Sequence, residues 1–422
     1  MANITILEPQ AQSNMLEAKA RKSWYLYDFA NSIIVINGSL YFPQWIVGQG
    51  NQVGDLAFNL VFVFSSIFTI FLSPLLGFQA DKNNTTLRDL VRHSVCLIAA
   101  SMILGLSTLI PNRDIRIVVA LISFFCVLAS YQFSLVFYNS LLSSISNENN
   151  DMQRSGIGLA SGWLGGIFAI FFGLLFSKGY LPSIGNGGMA TIVPSTILTA
   201  ILSFIALRGM RHLKISSSVL PQKDILSNRD IFASLVKIPG VLTFLIAYFL
   251  FSDAILTIQN NSTIFMEKIF HFSDDQKAYI FLLLLITGAI GALIAPWLNK
   301  MWGLKKSLIF ILFGWFFITI ATGITNDATS FVILFSIMGL LNGAIWNTSR
   351  VMFLRLIGKT LHNTAFGIYS TFERFSSIVG PLIWSAAIAF PGGGYKVAWL
   401  CMGFLLGVAV IFYTIKTKNM RY

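Results

Sequence analysis

Long stretches of this chain carry no charged residue: Leu56 to Ala80, Ile117 to Asn147, Gly179 to Leu207, Ala278 to Asn299, Ser307 to Asn326, Ala328 to Ser349 and Val397 to Ile415. Each is long enough to cross the ~30 Å hydrocarbon core of a bilayer as a helix, which takes about 20 apolar residues. Only 11% of the 422 residues are charged, against about 25% in a soluble domain, so a soluble fold is excluded. The apolar runs are continuous and lack the period-2 alternation of an outer-membrane barrel. With their neighbours they make about twelve helix-length spans. The expectation is an all-α membrane protein with twelve transmembrane helices, embedded in the lipid bilayer.

The net charge of +12 invites a nucleic-acid reading, but the distribution of the basic residues removes it. With the N-terminus in the cytoplasm, Arg113, Arg116, Lys178, Lys268, Lys277 and Lys396 fall on the far side and Arg374 lies inside a span. The remaining Lys and Arg all face the cytoplasm, so the positive-inside rule places both termini there. The longest polar connection divides the spans six and six. The expected segments are a cytoplasmic tail at 1–23, a six-helix half at 24–207, a linker at 208–237, a second half at 238–415 and a tail at 416–422. The first segment is polar and lacks the apolar core of a signal peptide, so it reads as a flexible lead-in. A bacterial inner membrane is the first expectation for location and an organellar membrane the second.

The halves echo one another in order. YDFANS (Tyr27 to Ser32) is answered by SDAILT (Ser252 to Thr257), SPLLGFQADK (Ser73 to Lys82) by GALIAPWLNK (Gly291 to Lys300), and YNS (Tyr138 to Ser140) by WNT (Trp346 to Thr348). Asn299 stands where the first half has Asp81. Two homologous halves around a midplane site form the build of a secondary transporter.

GFQADK resembles the loop signature of the major facilitator superfamily, with Gly77, Asp81 and Lys82 in place and Arg88 at its basic end; Asn84 replaces the usual second glycine. An Asp at such a helix terminus can pair with Arg or accept backbone N–H groups, latching the halves. WYLYDFANS, FYNSLL, GLASGWLGG, AYFLFSDAILT and FGIYSTFERFSSIVGP together resemble the vacuole-effluxer family, an autophagy-related branch of that superfamily also met in bacteria. The chain departs from the family pattern in the tenth helix, where GAIWNTSR keeps Arg350 but has Trp346 and Asn347 for Gln and Ala. Ala254 stands for a Gly and Arg374 for a Lys. The resemblance implies amino acids or similar small polar metabolites as cargo.

Candidate site residues follow from polarity inside the spans, since an ionisable group there points to a functional site. Asp28, Ser32 and Ser39 share one helical face with Asn31 beside them. Asp253, with Thr257 a turn on, sits deep in the seventh helix as a coupling residue or as half of an ion pair with Arg350 or Arg374. Glu373 follows Tyr369 by one turn, and its neighbour Arg374 points about 100° away. Tyr138 with Asn139, and Trp346 with Asn347, set a ring beside an amide in equivalent helices. Arg350 reads as a gate residue at the cytoplasmic end of the tenth helix, and Gln259, Asn260 and Asn261 as lesser cavity candidates. Gly158, Gly162 and Gly166, widened by Gly165, form a small-residue packing ridge that could let the halves slide.

No enzyme site is legible, and neither a cofactor nor a metal is expected. His93, His212, His271 and His362 are scattered through loops, while Cys96, Cys126 and Cys401 read as small core residues. The sequence predicts a monomeric, proton-coupled secondary transporter of a small zwitterionic solute working by alternating access. A larger organic solute such as a siderophore or drug, or a non-transporting receptor or scaffold on the same fold, are the alternatives.

Overall fold

The computed structural model describes residues 9–50, 52–213, 215, 228–359 and 361–417. Among them twelve helices have the length to cross a membrane and no strand is present: α1 Pro9–Gly50, α2 Gln52–Asn83, α3 Thr86–Leu106, α4 Arg113–Ser140, α5 Asp151–Ser177, α6 Ile192–Met210 and α7 Val241–Phe270. The run Asp274–Ile324 is two helices, α8 and α9, meeting at Gly303, whose φ of 75° is left-handed backbone suited to glycine. α10 Ala328–Ile357, α11 His362–Ala389 and α12 Tyr395–Thr417 complete the set. Residues 214 and 216–227 of the 208–237 connection, all of 1–8 and 418–422 lie outside the described residues.

Nine helices are long and apolar enough to span by composition alone, the bent α8–α9 pair counting as one of them. The two that fall short are α1 and α11. These carry Asp28, Asn31 and Asn37, and Glu373 and Arg374, so their polarity reports what they enclose. α1 starts at Pro9, well inside the segment expected to be a tail. The outward faces are apolar because lipid, not water, covers them. On α12, Phe404, Ile411 and Ile415 point out, while Met402, Leu406 and Tyr413 are buried. Cys96 and Cys126 also lie on this exposed surface, correcting their reading as core residues. His93 lies within α3 and His362 opens α11 against Ser143, so neither is a loop residue.

Tight turns at the end away from the termini are capped locally. Asn112, Ser273 and Asp327 each accept the N–H three residues on, and Gln276 reaches back to complete a capping box. The short backbone bond to Ser330 holds the exposed Asp327 carboxyl below the usual carboxylate range.

The glycine ridge of α5 packs within one half rather than between halves, correcting that expectation. A Cβ at Gly158 would enter the Trp24 ring and one at Gly165 the Phe29 carbonyl, so α1 and α5 touch backbone to backbone. The halves themselves meet through α2 with α11 and α5 with α8. At the second contact Ala160, Ala289 and Ala292 form a small apolar cluster with Leu159 and Trp163.

Polar contacts between the halves gather at the end that bears the termini. Asp81 accepts from the backbone N–H and amide of Asn363 at 3.2 and 2.8 Å, and from the N–H and hydroxyl of Thr364 at 2.8 and 2.7 Å. Ser140 donates to Asn363 at 2.5 Å. Arg355 clamps both carboxylate oxygens of Asp151, at 2.7 and 2.8 Å, and the Glu148 carbonyl at 2.6 Å. Asn347 ties α10 to the Ala292 and Met152 carbonyls. The centre of the molecule is thus sealed at the terminal end.

Candidate functional site

Above that seal, α1, α4, α5, α7, α8, α10 and α11 enclose a central cavity of about 300 Å³. Both halves supply its charges. Asp28 comes from α1 and is flanked by Ser32, whose hydroxyl is turned back to the Asp28 carbonyl at 2.9 Å. Arg350 comes from α10, and Tyr369 with Glu373 from α11.

The sealing of Asp28 follows from its neighbours. Gly162 lies so close that a Cβ there would sit 3.0 Å from the carboxylate. Tyr138 turns its hydroxyl toward the same carboxylate while its ring stacks on Trp24 at 4.3 Å. Trp24 is fully buried and donates to the Tyr138 carbonyl at 3.0 Å. On the other side Glu373 accepts from Tyr248 at 2.9 Å and lies 3.8 Å from Arg374. Arg374 lies against the side-chain amide of Gln132 of α4, whose oxygen accepts from it when the amide is oriented to face the guanidinium. Tyr369 stacks on Tyr248 at 4.0 Å and meets the Ser349 hydroxyl at 3.2 Å.

Arg350 differs from these groups. It feels the charge of Asp28, yet no carboxylate lies within ion-pair distance of it among the described residues. Its Nη1 is buried without a hydrogen-bond partner. Such a donor carries a cost until an acceptor meets it.

Of the expected site residues, Asp28, Ser32, Asn139, Trp346, Arg350, Tyr369 and Glu373 line this cavity. Arg350 does so well before the end of α10, which corrects its reading as a terminal gate residue. Gln259, ranked low from sequence, also lines it. Several others face elsewhere. Asn31 turns to Ser134 of its own half, and Ser39 is exposed. Asn347 is wholly buried on backbone carbonyls, which is structural glue. Tyr138 is packing behind Asp28. Asp253 lies outside the cavity, with one oxygen accepting the Gly380 N–H at 2.7 Å and the other unpartnered, so it forms no ion pair with Arg350 or Arg374. Thr257 sits beside it against Gly380. Gly77 and Asp81 build the terminal-end latch, where Lys82 and Arg88 stay exposed.

Tyr131, Trp163 and Asn342 were missed from sequence and line the cavity. Trp163 is a large ring set among the glycines of α5, and part of it packs over Gly288 of α8. Asn342 stands one turn before Trp346 and accepts its indole N–H at 2.7 Å, a pairing that the i, i+4 spacing permits.

The fold matches solved major facilitator structures. The E. coli fucose:proton symporter covers 96% of this chain and 99% of that one at a TM-score of 0.74 and 15% identity. A bacterial homologue of the iron transporter ferroportin, in its outward-facing state, matches at 0.75 and 12% identity, covering 96% and 100%. Twelve helices in two halves around a charged central cavity define the class: this is a major facilitator-type membrane transporter, not an enzyme. Residues 144–419 match the family described as "Vacuole effluxer Atg22 like", and the chain belongs to it. An uncharacterised transporter of the major facilitator type from Bacillus subtilis is 22% identical over 94% of both chains. An uncharacterised protein of Aquifex aeolicus is 24% identical over 93% of this chain and 95% of its own. "Autophagy-related protein 22" of Pichia angusta is 24% identical over 42% of this chain and 34% of its own.

Proposed function

We propose that the protein is a secondary active transporter that carries a small zwitterionic solute, of the amino-acid kind, by alternating access. The observation that carries this reading is Arg350: a half-buried arginine whose Nη1 is buried and unpaired, in a cavity it shares with Asp28 and Glu373. A solute carboxylate supplies the missing acceptor, and its ammonium group is drawn to the acids of the cavity wall. The volume of about 300 Å³ suits a small metabolite and disfavours a siderophore or a large drug. Latches at the terminal end, with the cavity above them, fit a state open to the side opposite the termini. The excess of Lys and Arg at that end supports a cytoplasmic side for it and for both termini, in a bacterial inner membrane.

Coupling to a proton falls first to Asp28, which lines the cavity. Asp28 faces the solute and can exchange its proton for the solute's positive end. Asp253, buried outside the cavity, is secondary in this reading.

The test is uptake of labelled amino acids into proteoliposomes under an imposed pH gradient. Arg350→Ala is expected to lose solute binding by tenfold or more, about 1.4 kcal/mol or above. Asp28→Asn is expected to keep exchange but lose gradient-driven accumulation. Wild-type accumulation by either variant sinks the corresponding role.

A further inference from the structure

Arg350 is not alone in lacking a partner. Among polar groups that line the cavity, the Trp163 indole N–H and the Gln259 Nε2 are also buried without an acceptor. The contrast with Trp346 is informative. That indole lines the same cavity and is satisfied inside the protein by Asn342, whereas Trp163 has no such neighbour. On the acceptor side, the Asn139 carbonyl oxygen is buried and unpaired. Among the described residues that line the cavity, three donor nitrogens and one amide oxygen therefore lack a partner inside the protein.

A zwitterion held by its carboxylate on Arg350 and by its ammonium near Asp28 and Asn139 satisfies only part of this set. Trp163 on α5 and Gln259 on α7 remain. Both are neutral donors, and among the described residues Arg350 is the only Lys or Arg in the cavity lining, while Arg374 lies beside Glu373. A second negative charge would find no cation to receive it. A purely apolar side chain would leave two buried N–H groups unpaired, which a hydrogen-bonding site penalises severely.

We infer that the transported solute bears, beside its zwitterionic end, a neutral oxygen acceptor such as an amide or a hydroxyl, and that Trp163 and Gln259 select it. This rests on the transport reading above and narrows it to one chemical class. Trp163 and Gln259 come from opposite halves, so a solute that satisfies both touches both halves.

The test compares three probes on the purified full-length protein: L-alanine, L-glutamine and L-methionine, the last close to glutamine in length but without the amide. Affinity is read by calorimetry, and uptake by competition in proteoliposomes. Glutamine is expected to bind at least tenfold tighter than methionine. Gln259→Leu and Trp163→Phe are each expected to shrink that ratio, by lowering glutamine affinity more than methionine affinity. If alanine and glutamine bind but methionine binds as well as glutamine, the selection of an acceptor is overturned and the transport reading stands. If none of the three binds, both are overturned. Retention of the full ratio in both variants also overturns the inference, and it does so even where one variant folds poorly, because the second reports separately.

Discussion

The last turn of α2 and the last turn of α8 occupy equivalent places in the two halves, yet they hold the molecule together differently. Asp81 accepts four hydrogen bonds from Asn363 and Thr364 at the start of α11, where the helix dipole favours an anion. Gly77, one turn earlier, lets the α11 backbone come so close that a Cβ would strike the Asn363 carbonyl. Asn299 makes no such crossing. Its amide donates to Ala295 and Thr348 of its own half at 2.7 and 3.2 Å. A crevice of about 790 Å³ opens beside it, and the crossing contact is made instead by Arg355 to Asp151. One lock is therefore a buried carboxylate among neutral donors, and the other an ion pair whose arginine is 37% exposed. The difference teaches that sequence echo preserves position, while the chemistry that closes the gap can move to another helix.

Asp81→Ala is the strongest way to break this comparison. It leaves four buried donors unpaired and is expected to cost about 3 kcal/mol, since hydrogen bonds to a charged group are worth roughly 1.5–3 each and relaxation recovers part. The readouts are a fall in thermal midpoint and faster labelling of a cysteine placed at Ser140. An unchanged midpoint with unchanged labelling would refute the latch. Gly77→Ala ranks next. The added methyl has no room, so labelling at the same site should rise with Asp81 intact. Arg355→Ala is expected to cost less, about 1–2 kcal/mol, because its partner is buried but the arginine is partly solvated. Its effect should also fade as salt is raised, whereas that of Asp81→Ala should not. A loss larger than that of Asp81→Ala would reverse the order of the two locks. Smallest is Asn299→Asp. Restoring the acid found in the first half should not create a second latch, and the loss of its two donated bonds should lower stability by about 1 kcal/mol. A gain in stability would show that the crevice can close.

Much of the fold was legible because bilayer physics is severe: charge-free runs of span length can only be helices. The seam at Gly303 was also visible, as a short basic loop between two runs, although the chain turns there without leaving helical structure on either side. The cavity was half legible. Asp28 and Glu373 stood out because charge in a span is rare. The paired-residue reading of Tyr138 with Asn139 and of Trp346 with Asn347 failed for a reason already in hand. Adjacent helical residues point about 100° apart, so only one of each pair can face the centre. Asn139 and Trp346 do, while Tyr138 and Asn347 pack behind. Trp163 and Tyr131 were hidden by the same environment that made the spans obvious. In lipid every helical face is apolar, so an aromatic ring carries no mark of whether it meets lipid, core or cavity.

The surface between α5 and α8 has a further consequence. Gly156 stands against the Ala292 carbonyl, Ala160 beside Ala289, and Trp163 over Gly288 at 3.3 Å from where a Cβ would be. Such a face has almost no relief, so no ridge sits in a groove to fix its registry. It behaves as a bearing, and the alignment of the halves is set by the latches at its end. A bearing of this kind is intolerant of shims. Gly288→Ala inserts one methyl under the Trp163 ring, far from every latch. It should tilt the balance between the two openings of the cavity without touching a charged group.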